Sequence, residues 1–211
     1  MNSDIPIYLF AKKPVAGRVK TRLQSHCSPT VAAQIAEDLI RATVELVVAN
    51  WCGQVRLCVW PDPEHSVFEE MRTTHSIDIE TQAAGGLGKK LLRALDVGVG
   101  AHGAAAVMGC DVPHCPAAII RRTCVALARR RNVIGPSLDG GFYLLGVNET
   151  HPDMFRGIRW STPSVMPNIE CSFRHLDINL DLRLPMLRDI DTWADLVAVA
   201  QQFQRLSPYV A

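Results

Sequence analysis

The stretch Ala104 to Pro113, reading A-A-A-V-M-G-C-D-V-P, constrains this chain more than any other. It carries no charge up to Gly109, and Asp111 follows two residues later, just before Val112 and Pro113. An apolar run of this length, bounded by Gly and Pro, has the pattern of a strand buried on both faces, as strands of a parallel sheet are. Further strand candidates are Ile5 to Ala11, Gln54 to Trp60, the short Ile77 to Glu80, Val133 to Pro136 and the run after Asp139. Helical patterns lie between them. Ser28 is an N-cap with Pro29 at the first helical position, and apolar residues then recur at 31, 35 and 39 and at 32, 36, 40, 44 and 47, which predicts an amphipathic helix to about Ala49. A short helix is expected within 61–72, another after Lys89-Lys90 and another from Pro116. Strands alternating with helices over the first two-thirds predict a doubly wound α/β domain.

With 211 residues, no internal repeat and no linker, the expectation is a single domain over 1–211. A net charge of +1 gives no reason to expect wholesale nucleic-acid binding or attachment to an anionic membrane. Arg129-Arg130-Arg131 ends a helical stretch and reads as a solvated terminus in a favourable dipole. The seven cysteines show no C-x-x-C pair and no zinc-ligand spacing, as expected of buried thiols in a reducing compartment. There is no signal-peptide pattern and no apolar run of about 18 residues, so the expected location is the cytoplasm.

In open α/β sheets, ligands sit outside the carboxyl ends of the strands, and that is where the chemistry-bearing residues fall. Asp111 at such an edge suits a hard cation held against a phosphate, although an acid before x-Pro is also common in turns. After the first strand, Lys12 to Leu23 packs five cations into Lys12–Arg22 around Pro14 and Gly17, with no acid. A strand, a flexible basic loop and a helix start bring backbone amides and cations to a phosphate. The loop lacks Walker A spacing, and a solvated basic turn is its bland alternative. Gln82 to Lys90 (Q-A-A-G-G-L-G-K-K) permits close backbone approach ahead of a helix, or is a plain loop. Asp139-Gly140-Gly141 is either a hairpin turn or a ligand site at the rim of the Phe142 strand. Met154 to Thr162 reads as a loop with exposed aromatics, Pro163 to Phe173 as a helix and Leu176 to Leu180 as a strand. Thr192 and Asp195 are spaced as a capping box for a last helix carrying Trp193, Leu196, Val197, Ala200 and Phe203, which leaves Asp189 and Asp191 without a structural reason.

Taken together, the motifs resemble the nucleotide-diphospho-sugar transferases of GT-A-like fold. They are most similar to the bacterial radical-SAM/selenodomain-associated transferase 1 family, a glycosyltransferase group, and more distantly to the phospholactate guanylyltransferases. The family pattern F-x-K-x-P-x-x-G-x-V-K-T-R-L is matched by Phe10, Lys12, Pro14, Gly17 and Val19 to Leu23. G-x-D-x-P is matched by Gly109, Asp111 and Pro113, and G-P-x-x-D-G-G-[FY]-Y-L-L-G by Gly135 to Gly146. W-S-T-P is Trp160 to Pro163, and D-x-D-T-x-x-D-L is Asp189 to Leu196. The resemblance implies a three-layer αβα sandwich around a mixed, mostly parallel, Rossmann-like sheet. It implies that Lys12, Gly17, Lys20, Thr21 and Arg22, with Gly85 and Gly88, bind a nucleotide, that Asp111, Lys20 and Arg22 are catalytic, and that Asp111 and Asp191 hold Mg²⁺ or Mn²⁺. Asp139, Gly140 and Gly141 would face the acceptor.

The chain departs from the family where Q-x-G-x-D-L-G-x-R-M becomes Q-A-A-G-G-L-G-K-K-L, losing an acid, and where His114-Cys115 follows G-x-D-x-P. His114 reads as a surface-turn histidine. The expected activity is a metal-dependent transferase using a nucleotide-activated donor, foremost a glycosyltransferase acting with a nucleoside-diphosphate sugar. Alternatives are a guanylyl- or cytidylyl-type nucleotidyltransferase and a nucleotide-binding protein without catalysis. Trp51, Trp60 and the Met154 to Trp160 loop are candidates for self-contact in a homodimer.

Overall fold

The computed structural model describes residues 4–210. Its seven strands are β1 (Ile7–Lys12), β2 (Val55–Trp60), β3 (Asp78–Thr81), β4 (Ala105–Gly109), β5 (Val133–Pro136), β6 (Phe142–Val147) and β7 (Leu182–Arg183). They form one sheet in the order β3-β2-β1-β4-β6-β5-β7, and β6 alone runs against the rest. The helices are α1 (Pro29–Asn50), α2 (Ser66–His75), α3 (Leu87–His102), α4 (Ala117–Ala128), α5 (Val165–His175) and α6 (Trp193–Ala200). The result is the expected mixed, mostly parallel αβα sandwich.

Alternation along β1 shows why both faces need cover. Ile7, Leu9 and Ala11 join the core under α1, α2 and α4, with Ile40, Val44, Phe68 and Ile120. Tyr8 and Phe10 point the other way, to the core under α3 and α5, with Leu95, Val165 and Ile169. On α3, Gly98 lets the helix lie against the sheet, since a Cβ there would sit 2.6 Å from that of Ala105. A third cluster packs α6 and the closing 3₁₀ turn (Gln204–Tyr209) against α1 through Leu39, Ile190, Leu196 and Leu206. Ser28 caps α1, accepting a hydrogen bond from Val31 N. The Thr192–Asp195 capping box starts α6 as its spacing predicts.

The structure corrects three details. The strand expected at Leu176–Leu180 is absent, because α5 continues to His175 and the chain turns through Asp177 at a φ of 57°. The edge pairing forms instead at β7, where Leu182 N donates to the Asn132 carbonyl and Leu184 N to that of Ile134. The last helix stops at Ala200, so Phe203 lies beyond it. The aromatic loop is turned inward, with Met154 and Phe155 buried and Trp160 packed edge-on against Phe142. Trp51 is buried as well, and its indole N–H donates to the Ile5 carbonyl.

No helix among the described residues is long and apolar enough to cross a membrane. Four cysteines are buried: Cys58, Cys110, Cys115 and Cys124.

Candidate active site

A cavity of about 650 Å³ opens at the carboxyl ends of β1, β2 and β4. The loop after β1, the end of β4 and the segment 189–191 meet there. Ile190 N donates to the Asp111 carbonyl at 3.0 Å, and Leu138 N to that of Leu187 at 2.9 Å, which strap the segment before α6 across the sheet's edge. Thr43 on α1 holds the neighbouring Cys110 carbonyl. Asp111 and Asp191 therefore stand side by side, although they come from distant parts of the chain.

Lys20 lies between them. Its Nζ is 2.6 Å from Asp111 Oδ1, 3.0 Å from Asp191 Oδ1 and 2.6 Å from the Ile190 carbonyl oxygen. An ammonium has three hydrogens to donate, and three oxygens receive them. Burial alone would lower the Lys20 pKa, but the charges of Asp111 and Asp191 and their hydrogen bonds outweigh it and hold the pKa above its ordinary value. The backbone at Lys20 is left-handed, with a φ of 46°, just ahead of a 3₁₀ turn (Thr21–Ser25). For a lysine that conformation needs tertiary contacts to hold it. Arg22 is mostly exposed, with a guanidinium nitrogen 3.9 Å from Asp191 Oδ2.

Lys12, Arg18 and Thr21 line the same cavity, as do Asp139, Gly141 and Asp189 on its far side. Asp139 accepts hydrogen bonds from Ser137 Oγ at 2.6 Å and Gly141 N at 2.8 Å. Gly17 lies in the turn after β1, and Gly85 in the turn before α3. Two of the motif glycines have packing reasons. A Cβ on Gly88 would come within 2.9 Å of Phe155 Cβ, so the glycine lets α3 receive the aromatic loop. Gly140 has a φ of 89°, and a Cβ there would lie 2.5 Å from the Pro163 backbone. Its carbonyl accepts from Met166 N at 2.8 Å, docking the turn on the first residues of α5.

Three cavity residues, Asp189, Trp60 and Gln82, had no role at the site from the sequence, Trp60 being a candidate for self-contact only. Asp189 is pushed up to about 7, chiefly by burial and then by the charges of Asp111, Asp139 and Asp191, with a hydrogen bond from Ser137 opposing them. Trp60, at the end of β2, is 39 % exposed and carries the Lys90 ammonium 3.6 Å above its ring. Gln82 gives both amide hydrogens to strand carbonyls, those of Ala11 and Cys58, so its remaining polar atom is an acceptor. An aromatic on the last residue of a strand that leads into the site is the one signal that could have singled out Trp60. His114 is partly buried, with no hydrogen-bond partner for Nδ1 among the described residues, and burial followed by Arg188 lowers its pKa.

Asp111, Asp191 and the Ile190 carbonyl are hard oxygen donors converging on one point, the set that suits Mg²⁺ or Mn²⁺. Among the described residues no three His, Cys, Asp or Glu side chains are grouped to hold a metal ion. Two carboxylates alone fit an ion of the magnesium type, which takes its other ligands from phosphates and water.

This sheet, with its cavity at the strand ends, places the chain in the fold class of the nucleotide-diphospho-sugar transferases. The chain belongs to the family described as "Uncharacterized protein conserved in bacteria (DUF2064)", whose profile matches residues 43–162. It is similar to a crystal structure from Desulfovibrio desulfuricans G20 named for the nucleotide-diphospho-sugar transferases. The identity is 25%, over 94% of this chain and 87% of the other, with a TM-score of 0.82. Two more distant structures share the fold. CMP:2-keto-3-deoxy-manno-octonic acid synthetase complexed with CTP is 11% identical, over 94% of this chain and 98% of that one, at a TM-score of 0.53. The manganese complex of Rv0371C from Mycobacterium tuberculosis H37Rv is 16% identical, over 93% and 98%, at a TM-score of 0.51. No curated protein sequence matches the chain.

Proposed function

We propose that the protein is a metal-dependent transferase that uses a nucleotide-activated donor, foremost a glycosyltransferase acting with a nucleoside-diphosphate sugar. The observation that carries this reading is the meeting of Asp111, Asp191 and Lys20 in one cavity with Lys12, Arg18 and Arg22. A purely structural ion cluster has no use for three further cations at its mouth. Anionic phosphates give all of them partners. The names of the similar structures, a nucleotide-sugar transferase and a CTP-bound synthetase, support the same substrate class.

In this reading Lys12, Arg18 and Arg22 bind the diphosphate, Arg22 through its bidentate fork, with Thr21 beside them. The nucleoside lies towards Trp60 and Leu87, both exposed apolar groups on the cavity wall. Stacking on Trp60 orients the base, and Gln82 offers it an acceptor. Asp111 and Asp191 would hold Mg²⁺ or Mn²⁺, whose chemistry is to neutralise charge that grows on the departing phosphate. The manganese-bound relative of the same fold supports that choice of ion. The cations of the β1 loop share that stabilisation, and they are placed before the reaction begins. Asp139, held rigid by Ser137 and Gly141, faces the acceptor with Asp189 beneath it. The sugar–phosphate bond breaks, the acceptor takes the sugar, and the nucleoside diphosphate leaves.

A second reading has one observation in its favour. Five cations line the cavity (Lys12, Arg18, Lys20, Arg22 and Lys90), enough to match a triphosphate, and a nucleotidyltransferase would release pyrophosphate instead. A thermal-shift screen of nucleoside triphosphates and nucleotide sugars with Mg²⁺ or Mn²⁺ tests both, since a ligand that binds the folded state raises the midpoint. A flat response to every nucleotide sinks both readings. Assay of the released nucleoside diphosphate or pyrophosphate separates them.

A further inference from the structure

We propose that Lys20 is the resident cation of the Asp111–Asp191 cradle and that a divalent metal enters only by displacing it. The cradle thus has two mutually exclusive occupants, and nucleotide phosphates decide between them. This inference rests on the metal-and-nucleotide reading of the site, and it can fail independently of that reading.

The geometry points to exchange rather than coexistence. Lys20 Nζ is held by three oxygens at 2.6, 3.0 and 2.6 Å, so both carboxylates and the Ile190 carbonyl converge on a single position. The Lys20 side chain is only 9 % exposed, whereas Asp111 and Asp191 are 48 % and 42 % exposed. The ammonium therefore lies behind carboxylates that remain open to the cavity. A metal bound by the same oxygens would bring two positive charges against one at hydrogen-bonding distance, where like charges repel strongly. Lys20 has to leave.

Its destination depends on what else is bound. Without nucleotide, the displaced ammonium moves towards Lys12, Arg18 and Arg22, which line the same cavity and repel it. With di- or triphosphate present, it gains an anionic partner a side-chain swing away. Metal and nucleotide are then positively linked, and linkage is reciprocal: each tightens the other by the same factor. The left-handed backbone at Lys20 fits this picture, because a strained residue held by side-chain contacts has something to gain when those contacts are exchanged.

The test is Mn²⁺ binding to nucleotide-free protein, read by electron paramagnetic resonance, in the wild type and in Lys20→Gln and Lys20→Met. Removing an ammonium that makes charge-assisted bonds to both carboxylates should tighten Mn²⁺ by at least about tenfold. Adding Asp111→Asn to Lys20→Gln should abolish the gain. If both single variants bind Mn²⁺ no more tightly than the wild type, or if the gain survives Asp111→Asn, the inference is overturned.

A measurement on the wild type guards against misfolded variants. Acylation of Lys20, followed by mass spectrometry, should be slow in the nucleotide-free protein and rise several-fold at saturating Mn²⁺. An unchanged rate overturns the exchange. Calorimetric titration of nucleotides with Mg²⁺ tells the two ideas apart. If no nucleotide binds but Lys20→Gln gains Mn²⁺, the exchange of Lys20 for metal stands, while its control by nucleotide falls with the transferase reading. If nucleotides bind but Lys20 does not respond to metal, the reverse holds.

Discussion

Asp189→Asn should make the protein more stable at alkaline pH relative to the wild type, and this gap should close in acid. Asp189 lines the cavity, where burial and three neighbouring carboxylates carry its pKa from an ordinary 3.8 to about 7. Between those two values the folded chain keeps a proton that the unfolded chain has lost. Stability therefore falls as pH rises through this window, and below about 4 this group contributes no difference. The whole rise, roughly three pH units at about 1.4 kcal/mol each, is on the order of 4 kcal/mol. Between about pH 5 and about pH 7 the part still to be lost is roughly 3 kcal/mol, an upper bound because Lys20 and the cavity solvent moderate the repulsion. Asparagine mimics the protonated acid in shape and carries no charge, so it escapes the penalty. Urea unfolding of both proteins at about pH 5 and about pH 8 measures the difference of differences directly. The variant should gain on the wild type by one to three kcal/mol, as an order of magnitude, on going to the higher pH. A gap that stays constant, or that moves in favour of the wild type, would refute the reasoning, because it would mean that the neighbouring cations stabilise the ionised form.

Other substitutions probe other levels of the argument. Gly140→Ala combines a φ of 89° with a Cβ 2.5 Å from the Pro163 backbone, and should cost on the order of 2–3 kcal/mol by denaturant unfolding. A loss below half a kcal/mol would show that the turn moves freely away from α5. Trp60→Ala should weaken nucleotide binding by about tenfold or more in calorimetry, while Trp60→Phe keeps most of the affinity; equal affinity in all three proteins would place the base elsewhere. Thr192→Ala should lower stability by about 1 kcal/mol through the lost cap of α6, with no change in the pairing of Lys20 with Asp111.

Much of the sheet was legible because β1 as far as Ala11, β4, β5 and β6 are written in uncharged runs. The strand before Asp111 begins one residue later than expected, and Val133–Pro136 falls where it was read. The helix caps at Ser28 and Thr192 were legible because capping is a contact between near neighbours in sequence. What failed was tertiary. The aromatics of the Met154–Trp160 loop look exposed in isolation, and it is the Gly88 surface of α3 with Phe142 and Phe173 that receives them. The two-residue β7 has too few residues to show a period, and its place is set by the carbonyls of Asn132 and Ile134. At the candidate site, the carboxylates and the basic loop were visible as separate features. The sequence could not show that Lys20 reaches Asp191, since nothing local links positions 171 residues apart. Nor could it show that Asp189 is the member of the D-x-D pair whose carboxyl is pushed up by burial and by the neighbouring carboxylates.

That long reach has a consequence for biosynthesis. The basic loop follows β1, the earliest of the seven described strands in chain order, while the strap that carries Asp189, Ile190 and Asp191 comes after all seven. A nascent chain that ends before the strap contains all seven strands and most of the apolar core, yet Lys20 lacks two of its three partners. Such an intermediate has the basic loop and Trp60 but only Asp111 of the two cradle carboxylates. On the proposed reading of the site, metal-assisted nucleotide binding would therefore report the docked strap as well as the formed sheet.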